Sequence, residues 1–245
     1  MEAIIKKIGL IGGIGWPATL TYYEGICKAS RTVMSAGSPP MVIESLNMEE
    51  TLSARGRSGD EESWQLFDSI FIDAMHRLEQ AGCAIAAMAS VTPHARLSSI
   101  RRGVNIPIIS IVDICTDIAN RNDIRSAIVL GTPVTMSGGW FDHELKRAGI
   151  AVPISISQAD IDATENLLSR YFYPGDGFEG RAALLKFCSD LNNWTDKAAI
   201  VLACTDFSSA FPEFEGKPIF TVDGQVFIDA ASAHIQAILK SACEK

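Results

Sequence analysis

Short apolar runs alternate along the chain with longer stretches in which apolar residues recur every three or four positions. Ile4–Ile11, Ala84–Ala89, Ile106–Val112 and Ala198–Ala203 are apolar throughout and predict strands buried on both faces; Met41–Ser45 predicts a further strand. Elsewhere the spacing is helical. Thr19–Arg31 predicts a helix entered through Pro17, and Glu61–Ala81 a long amphipathic helix closed by Gly82. Thr92 reads as the N-cap of a helix starting at Pro93, Tyr171–Gly177 as a turn-rich loop, and Gln225–Leu239 as a C-terminal helix. Continuous apolar strands separated by helices indicate an α/β protein with parallel sheets.

The second half repeats the plan of the first. Ile8-Gly-Leu-Ile-Gly-Gly with a downstream Thr19 resembles Ile128-Val-Leu-Gly-Thr with a downstream Thr135. Gly12 precedes Ser90 by 78 positions, and Gly131 precedes Cys204 by 73. Each half thus offers a glycine turn after its first strand and a polar residue followed closely by Thr after a later one. Asn120–Asp123 marks the expected start of the second unit.

Composition narrows the function. A chain of 245 residues, 47% hydrophobic and 20% charged, can bury a substantial core. A net charge of −8, with Arg101–Arg102 the densest basic spot in its first half, excludes a general nucleic-acid binder, which needs clustered cations against phosphate. The most apolar stretch, Cys83–Ala89, is far short of the roughly 20 residues of a membrane-spanning helix. Six cysteines show no C-x-x-C pair and no zinc-like spacing with the four histidines, which suits a reducing cytoplasm and no metal.

Several short segments could carry chemistry. Gly13-x-Gly15-x-x-Ala18 after a strand fits a loose dinucleotide fingerprint, but the next strand-end acid, Glu44, lies 31 positions on where about 20 is expected. Cys204 ends an apolar strand and is followed by Thr205 and Asp206, where a helix should begin; a helix N-terminus there would push the thiol toward thiolate. Ser90-Val91-Thr92-Pro93-His94 occupies the equivalent place in the first half, read either as a capped helix start or as a cradle for a carboxylate. Arg55 and Arg57 could remain solvated or bind an acid group in bidentate fashion.

Taken in order, Ile8-Gly-Leu-Ile-Gly-Gly-Ile-Gly-Trp-Pro-Ala-Thr, Ser90-Val-Thr-Pro-His, Leu130-Gly-Thr-Pro-Val-Thr-Met, Leu202-Ala-Cys-Thr-Asp and Val222-Asp resemble the aspartate/glutamate racemase family over nearly the whole chain. The resemblance implies two pseudo-symmetric parallel-sheet α/β domains, residues 1–113 with 222–245 and residues 114–221, with the active site in the cleft between them. It implies a cytoplasmic, usually dimeric enzyme acting on a small amino acid or 2-substituted carboxylic acid without pyridoxal phosphate or metal. Cys204 matches the second-domain catalytic cysteine, while Ser90 stands in place of the first-domain one. Gly13, Ile14, Arg55, Val91, Thr92, Thr132, Thr135 and Thr205 match the substrate-binding set, with His94 and Asp206 in support. Val91 replaces the usual Asn, Asp206 the usual Glu, and Thr164 falls where a basic residue, often Lys, is expected.

A serine hydroxyl ionises far less readily than a thiol, so the resemblance implies that Cys204 is the competent base and that turnover is biased in direction. Single-cysteine isomerases and decarboxylases of the same superfamily, and a non-catalytic small-acid binding protein, are the alternative readings.

Overall fold

The computed structural model of the protein describes residues 5–34, 38–57, 59–192 and 198–243. It divides into two compact units, Met1–Ser110 with Ile235–Lys245, and Ile111–His234.

In the first unit, β1 (Ile8–Gly12), α1 (Trp16–Ser30), β2 (Met41–Ser45), α2 (Met48–Ser53), α3 (Gln65–Gln80), β3 (Ile85–Met88) and α4 (Leu97–Arg102) follow in order, with 3-10 turns at Glu62–Trp64 and Thr92–Arg96. The sheet order is β2-β1-β3, all parallel, with Ile8 opposite both Met41 and Ile85. β1 and β3 are buried along their whole length, as their unbroken apolar runs require. Against this sheet α3 lays Phe67, Phe71, Ala74, Met75 and Leu78, the apolar face legible in its spacing.

The second unit contains α5 (Ile111–Arg121), β4 (Ala127–Gly131), α6 (Pro133–Ser137), α7 (Trp140–Arg147) and α8 (Gln158–Leu167), which runs into a π-helical turn at Leu168–Phe172. There follow α9 (Gly177–Asn192), β5 (Ala199–Ala203), 3-10 turns at Thr205–Ala210 and Pro212–Phe214, β6 (Ile219–Val222), β7 (Gln225–Asp229) and α10 (Ala230–Cys243). The sheet order is β4-β5-β7-β6, with β6 alone antiparallel. One apolar cluster joins Ile161, Leu168 and Phe172 to β5, Cys204 and Phe207. The Phe172 and Phe207 rings meet edge to face at 4.9 Å.

Three expectations change. Ile106–Val112 is not a strand: only Ile108 bridges to Ala86, Pro107 has no N–H for a ladder, and α5 already begins at Ile111. α5 opens the second compact unit, which begins at Ile111. Gln225–Leu239 is two elements, because β7 pairs with β5 and the helix starts only after Asp229. The second compact unit ends at His234, inside α10. Thr92 lies inside a 3-10 turn as its first residue, and Val91 holds the cap position. Residues 1–4, where the first strand was expected to start, lie outside the described residues.

Candidate active site

Parallel strands end on one edge of their sheet, and that edge gathers the sequence-predicted residues within each unit. In the first unit Gly13 and Ile14 follow β1, and Ser90, Val91 and Thr92 follow β3. Gly13 adopts φ +82°, and a Cβ there would stand 2.1 Å from the Leu46 carbonyl oxygen, so only glycine fits this turn. The Gly13 amide donates to Thr19 Oγ1 at 2.9 Å. Thr19 also packs where a Cβ on Gly12 would lie, 2.4 Å from its methyl. Glu44, the weak candidate for a ribose acid, instead accepts from Arg77 Nε at 2.7 Å. The glycine turn is thus braced by threonine, and the acid of a dinucleotide site is already paired.

Ser90 is half-buried, whereas Val91 and Thr92 are almost wholly buried. His94 is also buried, with Nδ1 3.1 Å from the Ser90 carbonyl oxygen. A carbonyl only accepts, so Nδ1 carries the hydrogen. Burial pushes the His94 pKa down to about 4, which makes this side chain a neutral brace for the Ser90 turn at physiological pH. Arg55 is half-buried just after α2, and its backbone amide donates to the Leu52 carbonyl. Arg57 is exposed, on a turn held by Ser63 and Trp64.

In the second unit Thr132 follows β4 and Cys204 follows β5. Thr132 Oγ1 and Thr135 Oγ1 are 3.2 Å apart, and Thr135 packs where a Cβ on Gly131 would lie. The glycine–threonine latch of the first unit therefore recurs here, as the two halves of the sequence suggested.

Cys204 is 5% exposed, and its thiol donates to Asp206 Oδ2 at 3.6 Å, a reasonable separation for sulfur. Thr205 beside it is buried. Burial raises the thiol pKa well above its ordinary value, and the Asp206 carboxylate raises it further; the Asp206 backbone amide opposes this and Glu165 adds to it. The expectation of a helix-depressed thiol is thus corrected. The helical segment after Cys204 is a six-residue 3-10 turn, too weak a dipole to outweigh burial and two carboxylates. Burial also raises the Asp206 carboxyl, and its Oδ1 is buried with no hydrogen-bond partner among the described residues.

Sequence reasoning missed Glu165 as a member of this group. Its signal was one acid inside the apolar stripe Ile161, Leu168, Phe172 on the buried face of α8 and its π turn. Thr164 is fully buried and donates its hydroxyl to the Asp160 carbonyl at 2.8 Å. Among the described residues no three His, Cys, Asp or Glu side chains converge as metal ligands.

The profile of the Asp/Glu/hydantoin racemase family matches residues 11–238. The chain belongs to this family. Family membership carries a racemase-type activity, an isomerisation of a small molecule. The fold is similar to that of an aspartate racemase homologue from Pyrococcus horikoshii, at 24% identity and a TM-score of 0.80, covering 98% of this chain and 100% of that one. The Picrophilus torridus aspartate racemase is similar at 20% identity and a TM-score of 0.74, with 98% and 95% covered. An arylmalonate decarboxylase variant shares the fold at 12% identity and a TM-score of 0.57, with 96% and 93% covered. In this chain the strands carrying the family motifs are parallel and their motif residues lie at the carboxyl edges. Among the described residues no helix is long and apolar enough to cross a membrane.

Proposed function

We propose that this protein is a cofactor-independent amino-acid racemase in which Cys204 removes the α-hydrogen and Ser90, from the other unit, serves the opposite face of the α-carbon. The observation that carries the reading is the Cys204–Asp206 pair at the carboxyl end of β5: a thiol with a carboxylate acceptor of its own, 3.6 Å away.

The elevated thiol pKa describes the protein before substrate arrives. An α-ammonium group entering beside Asp206 and Glu165 offsets their charge, which lowers the cost of ionising the thiol. The thiol proton passes to Asp206, whose raised pKa suits it to accept, and the thiolate takes the hydrogen from the α-carbon. Negative charge then spreads onto the substrate carboxylate, to be stabilised by hydroxyl and amide donors of the strand-end turns, among them Thr132, Thr135, Thr92 and Thr205. Arg55, Gly13, Ile14 and Val91 complete the substrate surface in this reading. A proton relayed through the Ser90 hydroxyl from solvent restores the C–H bond on the other face, Cys204 is left as the thiol it began as, and Asp206 releases the proton it accepted to solvent, so nothing is consumed. Because serine is the weaker base, removal of hydrogen from the Ser90 face is the slow direction. A homodimer in the cytoplasm is part of the same proposal; a monomer mass in light scattering would remove that part.

The test is α-hydrogen exchange of L- and D-amino acids in deuterated water without added cofactor. The enantiomer whose hydrogen faces Cys204 should exchange faster, and Cys204→Ala should exchange neither. Equal rates for both enantiomers would count against the assignment of roles. Arylmalonate decarboxylase shares this fold, and Cys204 is the one cysteine at a strand end, which supports a second reading: a one-cysteine enzyme that protonates a carbanion formed by decarboxylation. Release of carbon dioxide from a 2-substituted malonate, with no exchange from amino acids, would select it.

A further inference from the structure

Trp64 joins three parts of the first unit. Its indole is buried, lies edge to face with Phe67 at 5.3 Å, and Phe67 in turn packs on Phe71 at 4.8 Å, so the ring is anchored against α3. Its Nε1–H donates to the Arg57 carbonyl at 3.0 Å, and the neighbouring Ser63 Oγ accepts from the Arg57 amide at 2.7 Å. The backbone of Gly56 lies directly against the ring, where a Cβ would stand 2.5 Å from two indole carbons. The two residues that follow Arg55 are therefore both held by Trp64 or its neighbour. The third part is the turn after β3. Arg96 ends the 3-10 turn that follows Ser90 and Val91, and its guanidinium carbon lies 5.5 Å from the centre of the Trp64 ring. That guanidinium is already committed. Nε and Nη2 donate as a fork to the two Asp68 oxygens at 2.9 and 2.7 Å, and Nη1 donates to Glu61 at 2.8 Å. The Arg96 and Asp68 side chains are only 11% and 13% exposed, so the fork is shielded from water and fixes the ring's cationic neighbour in place. Within the same turn His94 holds the Ser90 carbonyl.

We infer that Trp64 is a positioning residue: with Arg96 it fastens the Arg55–Arg57 segment to the turn carrying Ser90, and so fixes where Arg55 meets an acid group of the substrate. The inference rests on the placement of Arg55 and Ser90 beside substrate in the reading above, and adds what holds them in register. A guanidinium carried on a loose segment would lose backbone freedom each time it bound an acid. The indole has removed that freedom in advance, so the contact costs less when substrate arrives. Arg96 spends its own charge on carboxylates of the protein, and acts on substrate only through the ring.

The test follows α-deuteration of aspartate and glutamate by the full chain. Trp64→Phe keeps an aromatic ring but loses the donor to Arg57, whereas Gly56→Ala keeps the donor and pushes the backbone off the ring. Each should raise KM about tenfold and change kcat by less than about threefold. In an Arg55→Ala background neither should raise KM further, because both act through that side chain. The paired Arg96→Met, Asp68→Leu variant, which leaves no shielded carboxylate without its cation, should behave like Trp64→Phe. Two measurements need no turnover. Amide hydrogen exchange of the unliganded protein should quicken about tenfold at Arg57 and Asp60 in Trp64→Phe, while α3 keeps its protection. Calorimetry should show aspartate or glutamate binding to Cys204→Ala about tenfold more weakly once Trp64→Phe is added. If no amino acid exchanges its α-hydrogen but this weakening is seen, and only when Arg55 is present, the racemase reading fails and the role of Trp64 stands. A KM or affinity that Trp64→Phe leaves unchanged, a loss that persists in the Arg55→Ala background, unchanged exchange at Arg57 and Asp60, or no binding of either amino acid overturns the inference.

Discussion

Replacing Asp206 with Asn should make Cys204 easier to ionise and yet a poorer catalyst. The carboxylate oxygen stands 3.6 Å from the sulfur. At that separation a thiolate and a carboxylate repel by about 4–5 kcal/mol at an effective dielectric of about 20, and by about 1 kcal/mol in bulk water. Asp206 is only partly exposed, so the true figure lies within this range. Removing the charge therefore lowers the thiol pKa toward its ordinary value. Burial and Glu165 still act on the thiol in the variant. A difference titration of thiolate ultraviolet absorbance, with Cys204→Ala as the blank, reads this directly. Turnover should move the other way, because an amide cannot accept the thiol proton once substrate has displaced water; a loss of about 100-fold in kcat is expected for a missing general base. A thiol pKa that stays put or rises would refute the electrostatic account. A lower pKa with faster turnover at neutral pH would show that Asp206 only suppresses the thiolate and takes no proton.

The same substitution should stabilise the fold. Asp206 has a folded-state pKa raised above the unfolded value of about 3.9, so its contribution to stability is greatest at low pH and is lost as pH rises through the folded-state value. Asp206→Asn should abolish that decline and gain about 1 kcal/mol at neutral pH, seen as a higher Tm. Ser90→Cys should narrow the gap between the exchange rates of the two enantiomers, whereas Ser90→Ala should widen it; an unchanged ratio in both would detach Ser90 from the reaction. Gly13→Ala meets both a positive φ and a Cβ 2.1 Å from the Leu46 oxygen, and should cost about 2–4 kcal/mol in urea unfolding. Asp229→Ala removes the acceptor for Ser208 Oγ, Ser232 Oγ and the amides of Ala231 and Ser232 at the start of α10. A loss of about 2–4 kcal/mol is expected, partly recovered by Asn, and a loss below about 0.5 kcal/mol would deny the cap its role.

Where the chemistry of a segment was local, the sequence was sufficient. β2 has the predicted bounds, β3 and β5 lie within theirs, and the face of α3 is the one its spacing describes. Cys204 was placed at a strand end from the apolar run before it. Its protonation was misjudged because that depends on burial and on Glu165, 39 positions earlier on another helix. The hairpin of β6 and β7 was missed although Asp223-Gly224, with φ of 50° and 80°, is the turn pair that such a two-residue loop favours. The cost was reading β7 as helix. Val226, Phe227 and Ile228 suit either state, and Asp229 marks the switch by closing the strand and capping the helix. Ile106–Val112 failed for the opposite reason: its apolar pattern was strong, but Pro107 denies the ladder a donor.

The threonine seated against Gly12 constrains how this scaffold can change by descent or by design. A methyl group added at Gly12 would meet Thr19 atoms at 2.4, 2.7 and 3.1 Å, so the two positions behave as a single locus. A mutational scan that alters one site at a time would score Gly12 as intolerant and stop there. Trimming Thr19 to Gly in the same clone would admit the new methyl while leaving the Gly13 amide to seek another acceptor, and directed-evolution libraries aimed at this loop should randomise the pair in one codon set.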